Sequence, residues 1–220
     1  MEFLLNPVTL AIISIFILVY SAILHEIAHG YVADRFGDPT ARLSGRLTLD
    51  PRPHIDPMMS LAIPLLLIIS GSPIIFGGAK PVPVDPYNLK DGRKDIALVS
   101  LAGPLTNVLI ALLAAILIHI FIPNQPLFLV RTESILGFLL ATIVQLNLLL
   151  AIFNMLPIPP LDGSKVFALL LPKDWAERFL SLGSMGMLLL LVLLFFPLGG
   201  FSIMDGIASL LSFAISLLGL

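Results

Sequence analysis

The chain carries the pentapeptide His25-Glu26-Ile27-Ala28-His29. On a helix, residues four apart share one face a turn apart, so both imidazoles can converge on one metal ion. The glutamate between them is placed to take a proton from a water held by that ion. The surroundings sharpen the pattern. Residues 3–24 contain no Asp, Glu, Lys or Arg, and Glu26 is the only carboxylate between Phe3 and Ala33. Ionisable groups inside an apolar helix are costly and are usually functional. The competing reading is a polar trio snorkelling at a helix end near Asp34 and Arg35.

Two histidines do not complete a catalytic zinc site, which takes three protein ligands and keeps one position open. Cysteine is absent, so thiolates and disulfides are excluded. A third histidine six residues after His29 would fall at position 35, which is Arg35. The other histidines are His54 and His119, and the other glutamates, Glu2, Glu133 and Glu177, lie outside apolar settings. Asp162 stands apart at the end of Asn154-Met-Leu-Pro-Ile-Pro-Pro-Leu-Asp-Gly163, after a long uncharged run. Three prolines remove amide donors and stop a helix there. A carboxylate on irregular backbone at membrane depth suits a ligand. A turn aspartate before Gly163 fits the residues equally well.

The elements that must position these groups are membrane helices. The chain has 220 residues, 58% hydrophobic and 12% charged. Uncharged runs recur at 57–79, 96–130, 134–161, 179–204 and 206–220. A spanning helix needs roughly 20 apolar residues, so the chain is expected to be a polytopic membrane protein. The first run lacks the flanks of a cleaved signal peptide and is expected to be retained. Nothing in the charge pattern suggests nucleic acid, and lipid is the expected surrounding. We expect an all-α fold of about five transmembrane helices, near 6–35, 95–122, 132–156, 183–197 and 200–219. A short amphipathic piece is expected at 172–182. The polar stretch 36–56, alternating over 41–49, suggests a short β-hairpin outside the bilayer. One membrane domain, 1–220, accounts for the whole, with its core near 5–170 and C-terminal helices near 183–219.

Basic residues cluster in three loops: Arg35, Arg42, Arg46 and Arg52; Lys80, Lys90, Arg93 and Lys94; and Lys165, Lys173 and Arg178. The positive-inside rule places all three in the cytoplasm. The segment 57–79, rich in Pro and Gly, is then read as re-entrant, with full crossing as the alternative. Both halves of the candidate site face the cytoplasm. The alternating stretch 79–86 is expected to be extended. If its edge is free, it could align a peptide by main-chain pairing, although a plain surface hairpin fits as well.

HEIAHG and NMLPIPPLDG, in that order, resemble the two signatures of the site-2 protease family of intramembrane zinc metalloproteases. Ala102-Gly103-Pro104-Leu105-Thr106-Asn107 resembles that family's third recurring element. FGGAKPVPVDP and the HIDP at 54–57 look like its compact prokaryotic branch without PDZ or CBS modules. Gly78 departs from the pattern, where a large aromatic often stands. The resemblance covers about residues 15–170. It implies that His25, His29 and Asp162 bind Zn²⁺, that Glu26 is the catalytic base, and that the substrates are transmembrane proteins of a prokaryotic cytoplasmic membrane. It leaves self-association into a homo-oligomer open. Asn107 and Asn154 are amides in apolar runs that need partners. They could hold substrate or its developing oxyanion, or they could bond between helices. His54 lies in a charged loop, where a solvated histidine is the default and assistance at the cytoplasmic mouth is the functional option. His119 reads as interfacial. The rival functions are a membrane metal-binding or transport protein and an inactive relative that binds membrane partners. Neither calls for Glu26 between the two histidines.

Overall fold

The computed structural model describes residues 6–62, 66, 69, 79–196 and 202–220. Helix α1 spans Pro7–Arg35, and the Asn6 side chain accepts from the Val8 N–H at 2.8 Å with Pro7 at the first position. This is the usual chemistry of a helix start. A four-residue turn, α2, follows at Thr40–Leu43, then a 3₁₀ turn at Arg52–His54 and a π-type turn at Pro57–Ala62. Residues 79–85 have no regular secondary structure and lead through the 3₁₀ turn Pro86–Asn88 into α3, Gly92–Phe121. Then come α4 (Leu127–Glu133), α5 (Ile135–Asn154), α6 (Asp162–Ala168), α7 (Lys173–Leu180), α8 (Gly183–Phe195) and α9 (Ile203–Leu217).

α3 is the centre of the molecule, packed chiefly against α5 and α1. Ala111, Ala114, Ala115 and Ile118 of α3 form one stripe against Leu140, Ala141, Val144 and Leu148 of α5. Small residues let helices approach closely where lipid offers no hydrophobic contrast between inside and outside. The outer faces are apolar as well. Val8, Ile12, Ile15 and Phe16 of α1 and Leu109, Leu113, Ile116 and Ile120 of α3 are all exposed. Such a surface is suited to hydrocarbon and not to water.

Three helices among the described residues, α1, α3 and α5, are long and apolar enough to cross a membrane. They become four spans if α7 and the Met185–Leu194 part of α8, which meet at 70°, are one broken span. The expected five spans are not all found among the described residues. With 13 and 15 residues, α8 and α9 reach about 20 Å and 22 Å at 1.5 Å per residue, short of a 30 Å core.

The expected β-hairpin is also absent: no strand occurs among the described residues. Asp38 explains it. Its carboxylate accepts the Thr40 N–H at 3.1 Å and the Thr40 hydroxyl, which starts the helical turn α2 instead. On the other side, Pro81, Pro83 and Pro86 deprive 79–86 of the donors a ladder needs. The stretch 79–85 has no regular secondary structure, and Asp85 at its end is in the extended region. Most of 57–79 lies outside the described residues, including the proposed re-entrant course and Gly78. Two short helices escaped the sequence reading, α4 and α6, and α6 carries Asp162 at its first position.

Candidate metal centre

His25 and His29 lie on the buried face of α1 together with Ser21, Ile23, Gly30 and Ala33. Asp162 is brought to them by the segment after α5. α5 ends at Asn154, and residues 155–161 turn through a cis Pro159–Pro160 bond. The turn is tight against α6, because a Cβ on Gly163 would sit 2.2 Å from the Met155 carbonyl oxygen. Asp162 then opens α6, where a carboxylate is favoured by the helix dipole.

The three ligating atoms converge. Nε2 of His25 and Nε2 of His29 are 3.0 Å apart, and they lie 3.2 and 3.1 Å from Asp162 Oδ2. All three residues are buried, and they form the one group of this kind among the described residues. Two ligands of a tetrahedral zinc with bonds near 2.0 Å lie about 3.3 Å apart, so the set fits that ion. The other Asp162 oxygen, Oδ1, accepts from Lys165 Nζ at 3.2 Å.

Gly103 completes the fit. A Cβ there would fall 2.5 Å from the Nε2 atoms of both histidines. The glycine of the Ala102-Gly103-Pro104 element therefore keeps open the space the ion requires. Pro104, which follows it inside α3, has no N–H to give the helix ladder.

The rings are held from behind. His29 Nδ1 is 2.7 Å from the Val99 carbonyl oxygen, and His25 Nδ1 is 2.5 Å from Asn107 Oδ1. The orientation of Asn107 follows from a chain of partners. Asn147 Nδ2 meets the Ile143 carbonyl at 2.9 Å and the Ser21 hydroxyl at 2.9 Å. A carbonyl only accepts, so that end of Asn147 is its amide and its Oδ1 faces Asn107 Nδ2, at 2.8 Å. Asn107 must then offer its oxygen to His25. Both Nδ1 atoms thus act as donors, and both Nε2 lone pairs face Asp162, the arrangement a metal ligand needs.

Glu26 lies on the adjacent face of α1. Its Oε2 accepts the Val82 N–H at 2.7 Å, so the irregular stretch 79–85 passes over it.

The other sequence candidates divide. Asn107 is fully buried behind His25. Asn154 turns back on its own helix, donating to the Leu150 carbonyl at 2.9 Å and away from the cluster. His54 is not the solvated loop residue expected by default. It is 2% exposed, with Nε2 3.0 Å from the Thr48 carbonyl oxygen, and its own carbonyl accepts the Lys80 N–H at 2.8 Å. The short turns at 48–54 fold over it, which charge pattern alone does not reveal. Val99, Asn147 and Ser21 were missed. Val99 acts through its backbone and leaves no signal. Ser21 precedes His25 by one turn of the same helix, a spacing that could have pointed to it, whereas Asn147 shares its helix with Gln145 and Asn154 and nothing in the sequence singles it out.

Fold and site together define a helical membrane protein with a buried His-His-Asp centre of zinc type. Residues 129–194 match the family model described as Peptidase family M50. The chain is 36% identical over 200 residues to “Putative zinc metalloprotease YwhC” of Bacillus subtilis, covering 91% of this chain and 88% of that protein. It is 38% identical over 143 residues to “Putative zinc metalloprotease Rip2” of Mycobacterium tuberculosis, 65% of this chain and 51% of that one. “Putative zinc metalloprotease MJ0611” of Methanocaldococcus jannaschii shares 42% identity over 95 residues, 42% of this chain and 45% of the relative. No solved structure matches. The chain belongs to peptidase family M50, the site-2 protease family.

Proposed function

We propose that the chain is an intramembrane zinc metalloendopeptidase of site-2 type, hydrolysing peptide bonds in or near transmembrane helices of membrane proteins. The observation that carries this reading is the convergence of His25, His29 and Asp162 within 3.2 Å of one another, with Glu26 beside them in an apolar bundle. His25, His29 and Asp162 would hold Zn²⁺. When bound, that ion supplies Lewis acidity to the scissile carbonyl and to a water.

The remaining chemistry belongs to the chain. Glu26 takes the proton of the attacking water and returns it to the leaving amine. Asn107 and the Val99 carbonyl hold the two imidazoles in the ligating tautomer. The substrate segment must unwind locally, because helical amides are already bonded and shielded, and Gly or Pro within it eases that step. The basic loops favour a cytoplasmic-facing site in a prokaryotic cell membrane, and a single membrane domain over 1–220 is consistent with how the elements pack. Among the described residues the His25, His29 and Asp162 group is the one cluster of potential metal ligands, which supports hydrolysis at a single centre over a transport route through the bundle.

Glu26→Gln tests this reading. It should lower cleavage by at least about 100-fold while zinc stays bound. The measurement compares membrane-protein fragments from cells carrying wild type or the variant, alongside the metal content of both purified proteins. Surviving cleavage in the variant refutes the mechanism.

A further inference from the structure

The segment 79–89 has its polar groups committed in an ordered way. Pro81, Pro83 and Pro86 have no N–H, so few donors remain. Lys80 N–H goes to the His54 carbonyl at 2.8 Å, Val82 N–H to Glu26 Oε2 at 2.7 Å, and Asp85 N–H to Asp38 Oδ2 at 2.7 Å. The carbonyls of Lys80 and Pro81, just before the Val82 amide, both accept from one guanidinium nitrogen of Arg46, at 2.6 and 3.1 Å. Arg46 is 7% exposed, an expensive burial for a guanidinium unless it serves a fixed purpose. The strap is therefore clamped on both sides of its contact with Glu26.

Its approach to α1 depends on Gly30, one turn beyond Glu26. A Cβ on Gly30 would lie 2.9 Å from Val82 Cγ1, 2.7 Å from Leu47 Cδ2 and 2.8 Å from Ala41 Cβ. A side chain there would lift Val82 away from the helix. Gly30, Arg46 and the proline spacing thus serve one contact, the Val82 amide on one oxygen of the Glu26 carboxylate.

The geometry points to Val82 and Arg46 as positioning residues for the base: the Val82 amide fixes the rotation of the Glu26 carboxylate, and Arg46 holds the strap that carries it. This rests on the reading of Glu26 as the base. It also means that the Val82 N–H and the Lys80 and Pro81 carbonyls are already engaged and are not open for pairing with a substrate strand.

The test uses full-length protein with the substrate identified by the Glu26→Gln comparison. Replacing Val82 by its α-hydroxy acid turns the amide into an ester and removes only the N–H. We expect kcat to fall about 10- to 100-fold with KM and zinc content unchanged, since a small misplacement of a reacting group costs that much. Arg46→Gln should show the same split, with partial recovery in Arg46→Lys, and Gly30→Ala should follow it. Infrared spectra with isotope-labelled glutamate, referenced to Glu26→Gln, should show the Glu26 carboxylate stretch shifting in the ester protein. That readout holds even if Arg46→Gln folds poorly. A rise in KM at constant kcat would instead make the strap a docking edge, and higher activity would make it a latch. Either result, or an unmoved carboxylate band, overturns the proposal. Cleavage by Glu26→Gln would overturn the proposed function itself, whereas loss there with a fully active ester protein defeats only this inference.

Discussion

At the scale of single residues, the centre depends on atoms behind the ligands as much as on the ligands. Asn107 is fully buried and gives His25 its acceptor. Asn107→Leu should weaken zinc binding about 10- to 100-fold, measured by competition with a chelator, because partners behind a metal ligand contribute on that scale. Gly103→Ala makes a different prediction. Its Cβ would meet both Nε2 atoms at 2.5 Å, so metal content should fall to background even though no ligand has changed.

At the scale of elements, two contacts hold the site together. The first is the small-residue seam between α3 and α5. Ala111 has no exposed surface there. Ala111→Leu should overpack the seam and destabilise the protein by about 1–3 kcal/mol, read from thermal unfolding in detergent. The second is the anchor of the 79–89 strap on Asp38. Burial acts to raise the Asp38 carboxyl, but hydrogen bonds from Thr40, Asn88 and the Asp85 N–H outweigh it and hold the group below its ordinary value. A carboxylate with a depressed value adds stability above the unfolded value, about 3.9, and that contribution is lost as pH falls through the lower folded value. The strap should therefore resist protease from neutral pH down to about 4 and loosen only in stronger acid. In Asp38→Asn, limited proteolysis within 79–89 should already be fast at neutral pH.

At the scale of the whole molecule, the orientation in the membrane is the open quantity that the basic loops address. Tyr87 is 97% exposed on the connection that precedes α3. The chain has no cysteine, so Tyr87→Cys introduces a single thiol into an otherwise unreactive protein. An impermeant maleimide should label it in inside-out vesicles and not in intact cells, as the positive-inside rule requires. Labelling from the outside would invert the topology and the proposed cytoplasmic access to Glu26.

The sequence by itself determined the apolar helices and the His25-Glu26-His29 face. Both are local consequences of spacing and composition, and α1, α3 and α5 lie within a few residues of where the uncharged apolar runs place them. It also marked Asp162, but the residues alone could not separate a ligand from a turn. What the fold adds is proximity: the 155–162 turn packs against α1 and brings Asp162 to His29, residues more than 130 positions apart. The expected hairpin failed for a related reason. Alternation at 41–49 is a local signal, and Asp38 overrode it with a side-chain turn to Thr40 that the pattern of apolar residues does not encode. Asn107, Asn147 and Ser21 each look like an isolated polar residue, and their order as a relay to His25 exists only where three helices meet. The opening pentapeptide thus remains the part of the site written in the chain. Its third ligand, the tautomer of its first histidine and the amide on its glutamate are properties of the tertiary structure, since each depends on a group brought in from a distant segment.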